Sequence, residues 1–363
     1  MRIAVLTNEY PPLATGGAGR IAYVYNQLLE RHGYEVRVWN CGLKFGRWRS
    51  KKQFWRFLNH LLDLLPSKKT AEEIISWKPD VLLSHNLTGC GFGTPRLVQF
   101  EGVRWVHFLH DVQLFEPSGK IIFGESLKFF RHLWRMIWSL LRRRALGRPD
   151  AVVSPTNWLL NEHAKHKFFM DTISEVIPNP LCVDAVMDVN LIRDPKQVLF
   201  VGRLDYDKGL GILLDAWALV KNSAGKLVIL GNGEMRQDIE KLKDPLIEMR
   251  GSVTSQEVFK AMLQSGVVVV PSLVMENQPT VILEALVFSC RVVAAEVGGV
   301  KETLDSAGYL VNPGSVNALA QGLKAALTDP DDKERARNRG DVLDHHDPEG
   351  SVLRLIGLFK SNL

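Results

Sequence analysis

The stretch QVLFVGRLDYDKGLG, residues 197–211, runs from an apolar, β-branched segment through a glycine-bearing loop with two cations into the start of a helix. RIAVLTNEYPPLATGGAGR, residues 2–20, repeats that order at the head of the chain. A strand, a glycine turn and a helix form the opening unit of a Rossmann-like domain. The chain holds two such openings, so it is read as two Rossmann-like domains facing each other across a cleft. Between and beyond them, short apolar runs alternate with helical patterns: EVRVW, DVLLS, VRWVHFL and AVVSP in the first half, then LVILG, IEMRG, VVVVP and RVVAA. Runs this short and apolar are buried on both faces, which calls for parallel sheets with covering helices. The class is α/β.

Length agrees, since 363 residues exceed the roughly 250–300 that a single core organises. The seam falls in the proline-bearing turn VIPNPLCVD, residues 176–184. That gives a first domain at 1–178 and a second at 179–345. The last stretch, 346–363, reads as a helix returning to the first domain, with Val352, Leu355, Ile356 and Phe359 on one face.

Apolar content of 46% with 23% charged residues is that of a globular enzyme. Four cysteines stand far apart with no C-x-x-C pair, which fits a reducing compartment rather than a disulfide framework or zinc site. The N-terminal run breaks at Asn8, Glu9 and two prolines, unlike a signal peptide, and no run of about 18 apolar residues suggests a membrane span. A cytoplasmic location is expected. The net charge of +5 is uneven: residues 1–180 carry 25 Lys and Arg against 15 Asp and Glu, residues 181–363 carry 20 against 25. From Arg37 to Leu58 cations and large apolar residues interleave with no acid, and LKFFRHLWRMIWSLLRRRALGR, residues 127–148, does the same. Anionic lipid attracts that mixture. Packing of the second segment's apolar face on a sheet, with solvated arginines, is the other reading.

Ligands of open α/β sheets sit beyond the carboxyl ends of the strands. After the first strand, Gly16 and Gly17 leave backbone amides open to an anion or sugar, or simply make a tight turn. After VRWVHFL come His110, able to hydrogen-bond a hydroxyl, and Asp111; no spacing completes a metal set around His107 and His110. His163 and His166 fall on a polar helix and are read as solvated. Arg203 and Lys208 frame a turn as a diphosphate clamp, or Arg203 pairs with Asp205 or Asp207. GNGE, residues 231–234, is a further glycine turn. In MENQPTVILEAL, residues 275–286, Pro279 suits a first helical turn, so Glu276 lies in a loop and Glu284 on the second turn, about 7.5 Å along. Carboxylates there can accept from the hydroxyls of two sugars, with a helix N-terminus between them for a diphosphate. A first-turn acid and an exposed helix acid are the plain alternative.

Taken together, the paired glycines at 16–17, HD at His110, FVGRLDYDKG, GNGE, GSV at 251–253, the E-x7-E spacing of Glu276 and Glu284, and VGG at 297–299 resemble a retaining glycosyltransferase of family 4 with the GT-B fold. The motifs occur in family order over nearly the whole chain. The resemblance implies a nucleotide-sugar in the second domain, a UDP-sugar first and GDP-mannose second, and a glycan or lipid-linked acceptor entering from the first. It implies Arg203 and Lys208 at the diphosphate, His110 and Glu276 at the transferred sugar as the catalytic pair, and Glu284 at the ribose. Val253 lies toward the base, and Gly16, Gly17, Asn277, Gln278, Pro279 and Thr280 complete the donor-binding set. No metal or cofactor is expected. A GT-B epimerase or phosphorylase, a non-catalytic sugar-nucleotide or membrane-scaffold protein, and a nucleic-acid binder are the competing readings. The E-x7-E pattern argues against the epimerase, and the intact Arg203, Lys208, Glu276 and Glu284 against the non-catalytic reading; binding lost on adding lipid vesicles rather than on raising salt would argue against the third.

Overall fold

Every one of these apolar runs is a strand in the computed structural model, which describes residues 1–12, 17–41, 60–125, 129–181, 192–329 and 332–360. The first series is β1 (Arg2–Thr7), β2 (Glu35–Asn40), β3 (Val81–Ser84), β4 (Arg104–Phe108), β5 (Ala151–Ser154) and β6 (Ile173–Val176). The second is β7 (Asp194–Val201), β8 (Leu227–Leu230), β9 (Ile247–Gly251), β10 (Ser265–Val270), β11 (Arg291–Ala295) and β12 (Tyr309–Val311). Each series makes one parallel sheet, in the order β2-β1-β3-β4-β5-β6 and β12-β11-β10-β7-β8-β9. Central strands such as β3, β5, β8 and β10 are buried at every residue. Val, Ile and Leu on both faces therefore leave solvent entirely, the main source of stability in such a sheet. β6 and β12, the two strands that no apolar run announced, are short edges: β6 has only exposed or half-buried residues, and β12 buries only Val311.

Helices important to the site and to the packing of each sheet are α1 (Gly17–Arg31), α2 (Phe129–Leu146), α3 (Asn157–Lys165), α4 (Leu210–Val220), α5 (Thr280–Val287) and α6 (Pro348–Lys360). The chain forms two units, one of Met1–Lys120, Ser126–Pro180 and Asp347–Leu363, the other of Ile121–Glu125 and Leu181–His346. The division follows Pro180 where the sequence suggested 178. In the first unit α6 buries Val352, Leu355, Ile356 and Phe359 in the same core as Ile3, Val5, Tyr25 and Val153. Arg354 fixes it by donating to Glu175 and to the Val176 carbonyl, both at 2.8 Å. Residues 121–125 join the second unit because Ile122 bridges Val274 antiparallel: Met275 N–H donates to the Ile121 carbonyl at 2.8 Å and Phe123 N–H to the Leu273 carbonyl at 2.7 Å.

Candidate active site

The order of the second sheet reverses where β7 meets β10, since β8 continues on one side of β7 and β11 on the far side of β10. Such a switch point opens a crevice at the carboxyl ends of the two strands. The loop leaving β7 carries Arg203 and Lys208, and the loop leaving β10 carries Glu276. The two loops are clipped together: Leu273 and Val274 N–H both donate to the Asp207 carbonyl, at 2.9 and 3.0 Å. Gly209, at φ 73°, passes so close that a Cβ there would stand 1.8 Å from the Pro271 carbonyl oxygen. No other residue fits that crossing.

This clipping brings Lys208 and Glu276 face to face. Lys208 Nζ and Ser272 Oγ both donate to Glu276 Oε1, each at 2.6 Å, and the Lys208 and Glu276 side chains are only 22% and 17% exposed. The Glu276 backbone is held as firmly, because Gly299 N–H donates to its carbonyl at 2.8 Å while Gly298, at φ 60°, leaves no room for a Cβ, which would meet that oxygen at 2.1 Å. Ser272 was missed from sequence; its only signal was its place directly after the VVVVP run. Arg203 sits differently. It is 57% exposed and paired with Asp205 at 2.8 Å and Asp207 at 4.0 Å, the ion-pair alternative of the sequence reading.

Two helices start at this crevice. Both α4, capped by Gly209, and α5, capped by Pro279, lack a side-chain cap and an acid in the first turn. Their leading N–H groups and positive dipole ends suit an anion. Pro279 is the cap rather than the first helical residue, its ψ of 109° being extended, so the helix opens at Thr280. Glu284, one turn on, is 5% exposed, which removes the exposed-acid alternative. Asn277, Gln278, Pro279 and Thr280 are half-buried along the loop and cap, and Val253 lies half-buried just past β9.

The first sheet has its own switch point, between β1 and β3. Asn8 and Glu9 follow β1, His85 and Asn86 follow β3, and His110 and Asp111 lie just past β4. Asn8 N–H donates to the Asn86 carbonyl at 3.0 Å and His85 N–H to the Leu6 carbonyl at 2.9 Å, tying the first two ends. His85 Nδ1 and His110 Nε2 are 2.8 Å apart. Burial pushes His110 down to about 4 and His107 to about 3, and His85 well below the ordinary imidazole range, so the cluster is neutral at pH 7. Burial also raises the Asp111 carboxyl to about 6 and that of Glu9 above its usual range. Gly17 is the exposed first residue of α1; Gly16 lies outside the described residues.

Other expectations change. His163 is fully buried rather than solvated, because its i,i+4 spacing places it on the face of α3 that buries Leu159; its Nδ1 lies 2.8 Å from the Leu159 carbonyl and its ring packs on Phe115. In α2 neither reading of the arginines holds throughout. Arg142 is completely buried, over the Phe92 and Trp138 rings, with the charges of Asp63, Asp111 and Glu116 opposing the effect of its burial, and Arg135 turns in to Glu116 at 3.7 Å. Leu133, Trp134, Met136, Ile137 and Leu140 face outward instead, 39% to 55% exposed. Of the acid-free basic stretch from Arg37 to Leu58, residues 42–58 lie outside the described residues. Among the described residues no group of three or more His, Cys, Asp or Glu is placed to hold a metal ion, and no helix is long and apolar enough to cross a membrane.

Residues 195–329 match the family model for glycosyl transferases group 1, and residues 15–184 the model for glycosyltransferase family 4. The chain belongs to the family 4 glycosyltransferases. An uncharacterised 42.6 kDa protein of the cps region of Klebsiella pneumoniae is 24% identical over 83% of this chain and 87% of its own. An α-1,4-N-acetyl-D-galactosaminyltransferase of Campylobacter jejuni, acting on a diphospho-undecaprenol glycan, is 35% identical over 36% of this glycosyltransferase and 38% of its own length. Anabaena HepE, solved with UDP, superposes with a TM-score of 0.68 over the full length of both chains at 17% identity. The fold is GT-B: two Rossmann-like domains, each carrying one of the two switch points.

Proposed function

We propose that this glycosyltransferase is a retaining hexosyltransferase whose donor is a nucleotide-sugar, UDP-linked in the first instance and GDP-mannose in the second. Its acceptor would be a glycan or lipid-linked glycan in cell-surface polysaccharide synthesis. The observation that carries the donor site is the Lys208–Glu276–Ser272 cluster set between two uncapped helix N-termini. In that site the N–H groups of α4 and α5 bind the diphosphate. Arg203 and Lys208 stabilise it as the sugar C1–O bond breaks, the largest electrostatic demand of the reaction. Glu276 accepts from hydroxyls of the transferred hexose, Glu284 from the ribose, and Val253 lies toward the base. The acceptor oxygen bonds to C1 on the face the diphosphate leaves, and its proton passes to a departing phosphate oxygen. His110, neutral at pH 7, acts on the hexose as a hydrogen-bonding group rather than as a cation. The cations and helix termini supply the positive charge, so no divalent metal is assigned. UDP is favoured because HepE carries it in the same fold.

A lipid-linked acceptor is favoured by the Campylobacter relative and by α2. Turning arginines inward and Leu133, Trp134, Met136, Ile137 and Leu140 outward gives this helix an apolar outer face, bordered by exposed Arg144 and Arg148, that suits peripheral contact with an anionic bilayer. Contact on the inner face of the membrane agrees with a cytoplasmic sugar-nucleotide supply. Sedimentation with phosphatidylglycerol vesicles, lost with phosphatidylcholine alone and weakened in Ile137→Glu, tests it; equal recovery on both vesicles would remove it.

The donor reading is tested by a thermal-shift panel of UDP, GDP, ADP and their sugar conjugates, since a ligand of the folded state raises the Tm. One diphosphate is expected to stabilise the protein, in buffer containing a chelator, and to lose its effect in Lys208→Ala. No response to any of them would leave the scaffold reading.

A further inference from the structure

The second unit holds a pocket at the opposite end of its sheet from the charged crevice. Arg291 and Tyr309, the first residues of β11 and β12, line it together with Leu286 from the last turn of α5 and Asn338 from the helix Asp332–His345. Arg291 stands level with Val267, three residues short of the end of β10, so the pocket lies about 10 Å along the sheet from the crevice. Its volume is about 220 Å³. A cavity of about 150 Å³ encloses a benzene ring, so this one takes a six-membered ring with substituents but not a nucleotide.

The polar part of the lining is fixed and electrically balanced. Tyr309 Oη donates to Asp329 Oδ2 at 2.7 Å, while Arg291 Nη2 donates to the Asp329 carbonyl and Nε lies 3.7 Å from its carboxylate. Arg291 and Asp329 thus cancel in charge, and no further Lys, Arg, Asp or Glu among the described residues lines the pocket. An anion finds no net positive charge here. Two polar groups are left over. Asn338 is 8% exposed and its amide makes no hydrogen bond among the described residues; Arg291 is 7% exposed and its Nη1 makes none either. Buried groups of this kind are costly unless something supplies the missing bonds. The amide both donates and accepts while the guanidinium only donates, and a hydroxyl can answer either. Leu286, Val292 and Ala307 add the apolar surface that suits the C–H groups of a sugar ring.

We infer that this pocket binds one neutral hexopyranose unit, free or at the end of a glycan, away from the site of transfer. Binding there is independent of the donor proposed for the crevice, so Lys208→Ala should not affect it. The probes are glucose, galactose, mannose and N-acetylglucosamine at millimolar concentration, with inorganic phosphate and acetate as anions. They are titrated into the full-length protein labelled at its alanine methyl groups, the Ala307 signal being assigned by its loss in Ala307→Gly. At least one hexose is expected to move that signal saturably, and the anions are not. Asn338→Leu keeps the volume but removes both amide groups, and should weaken binding about tenfold, the scale of one buried hydrogen bond. Ser306→Trp sets a large ring on the exposed part of the lining and should abolish binding. A disaccharide of the responding hexose that binds equally well identifies a chain end as the source, and weaker binding identifies the free sugar; both keep the site. No response to any hexose, an equal response to phosphate or acetate, a response kept in both Asn338→Leu and Ser306→Trp, or one lost in Lys208→Ala would overturn the assignment.

Discussion

The two switch points of this glycosyltransferase are built from the same topology and opposite electrostatics. In the second unit the crevice is framed by Lys208, Glu276, Arg203 and two helix N-termini, and its charges are half-solvated and paired. In the first unit the equivalent place is a packed cluster of uncharged imidazoles with two carboxyls whose ionisation burial opposes. A sheet crevice supplies location only; the loops decide whether it holds an anion or arranges neutral hydrogen bonds. The charged crevice is suited to a diphosphate, the neutral one to hydroxyl groups.

The largest effect should come from removing the acid at the charged crevice. Glu276→Ala leaves Lys208 and Ser272 without their shared acceptor, and kcat is expected to fall at least about 100-fold, the scale on which a lost transition-state contact registers. Glu276→Gln keeps the shape and an acceptor but loses the charge. If Gln restores most of the rate, geometry at this crevice matters more than charge, and the contrast between the two units weakens. Steady-state kinetics with a saturating donor decides.

Next comes the backbone under that acid. Gly298→Ala asks for a φ that L-residues avoid and a Cβ 2.1 Å from the Glu276 carbonyl oxygen. The strain, about 1–3 kcal/mol for the backbone alone, should lower the Tm and displace Glu276, whereas Gly17→Ala, with open space around its Cβ, should do neither. Denaturant melts of both variants make the comparison, and equal stabilities would show that the loop relaxes freely.

The charged crevice was legible and the neutral one was only half so, for physical reasons. Cations and acids just past apolar strands stand out in a sequence because they are costly to place there without a partner, and Lys208 and Glu276 proved to be each other's. Histidine sends no such signal. His85 follows DVLLS just as His110 follows VRWVHFL, yet nothing in its own neighbourhood shows that the two rings meet; that follows from the adjacency of β3 and β4. His163 looked solvated because α3 is polar overall, and only its spacing from Leu159 told otherwise. The inward arginines of α2 depend on Asp63, Asp111 and Glu116, too distant along the chain to be paired by inspection. Strands followed the same logic: buried runs were read correctly, while β6 and β12 had too little burial to leave a pattern.

Arg203 sharpens the contrast from the other side. In its pair with Asp205 the arginine itself is more than half exposed, and pairs open to solvent in this way contribute about 0–1 kcal/mol. Arg203→Ala should therefore leave the Tm of the unliganded protein almost unchanged while weakening donor binding about tenfold, by loss of a charge-assisted contact. Calorimetric titration with the stabilising nucleotide separates the two; a drop in Tm with unaltered affinity would make Arg203 structural.

The smallest change should be one of pH, and its sign distinguishes the units. His85, His107, His110 and His163 all have folded values below the ordinary 6.5. The unfolded chain takes up protons first, so stability is full above 6.5 and is lost as pH falls toward the folded values. Asp111 and Glu9 work the other way, since their raised folded values penalise the charged form at neutral pH and that penalty eases through about 6. Arg142, beside Asp111, stays protonated throughout because its value falls only to about 10. Four imidazoles against two carboxyls leave a net loss on acidification, and the Tm should drop by roughly 2–4 °C from pH 7 to pH 6, the response to about 1 kcal/mol in a chain of this size or somewhat smaller. His163→Gln, which takes one of the four out of the balance, should flatten that slope, and Glu276→Gln in the other unit should not. A slope unchanged by His163→Gln would mean that the acid sensitivity lies outside the imidazole cluster, and the neutral character assigned to the first crevice would lose its thermodynamic support.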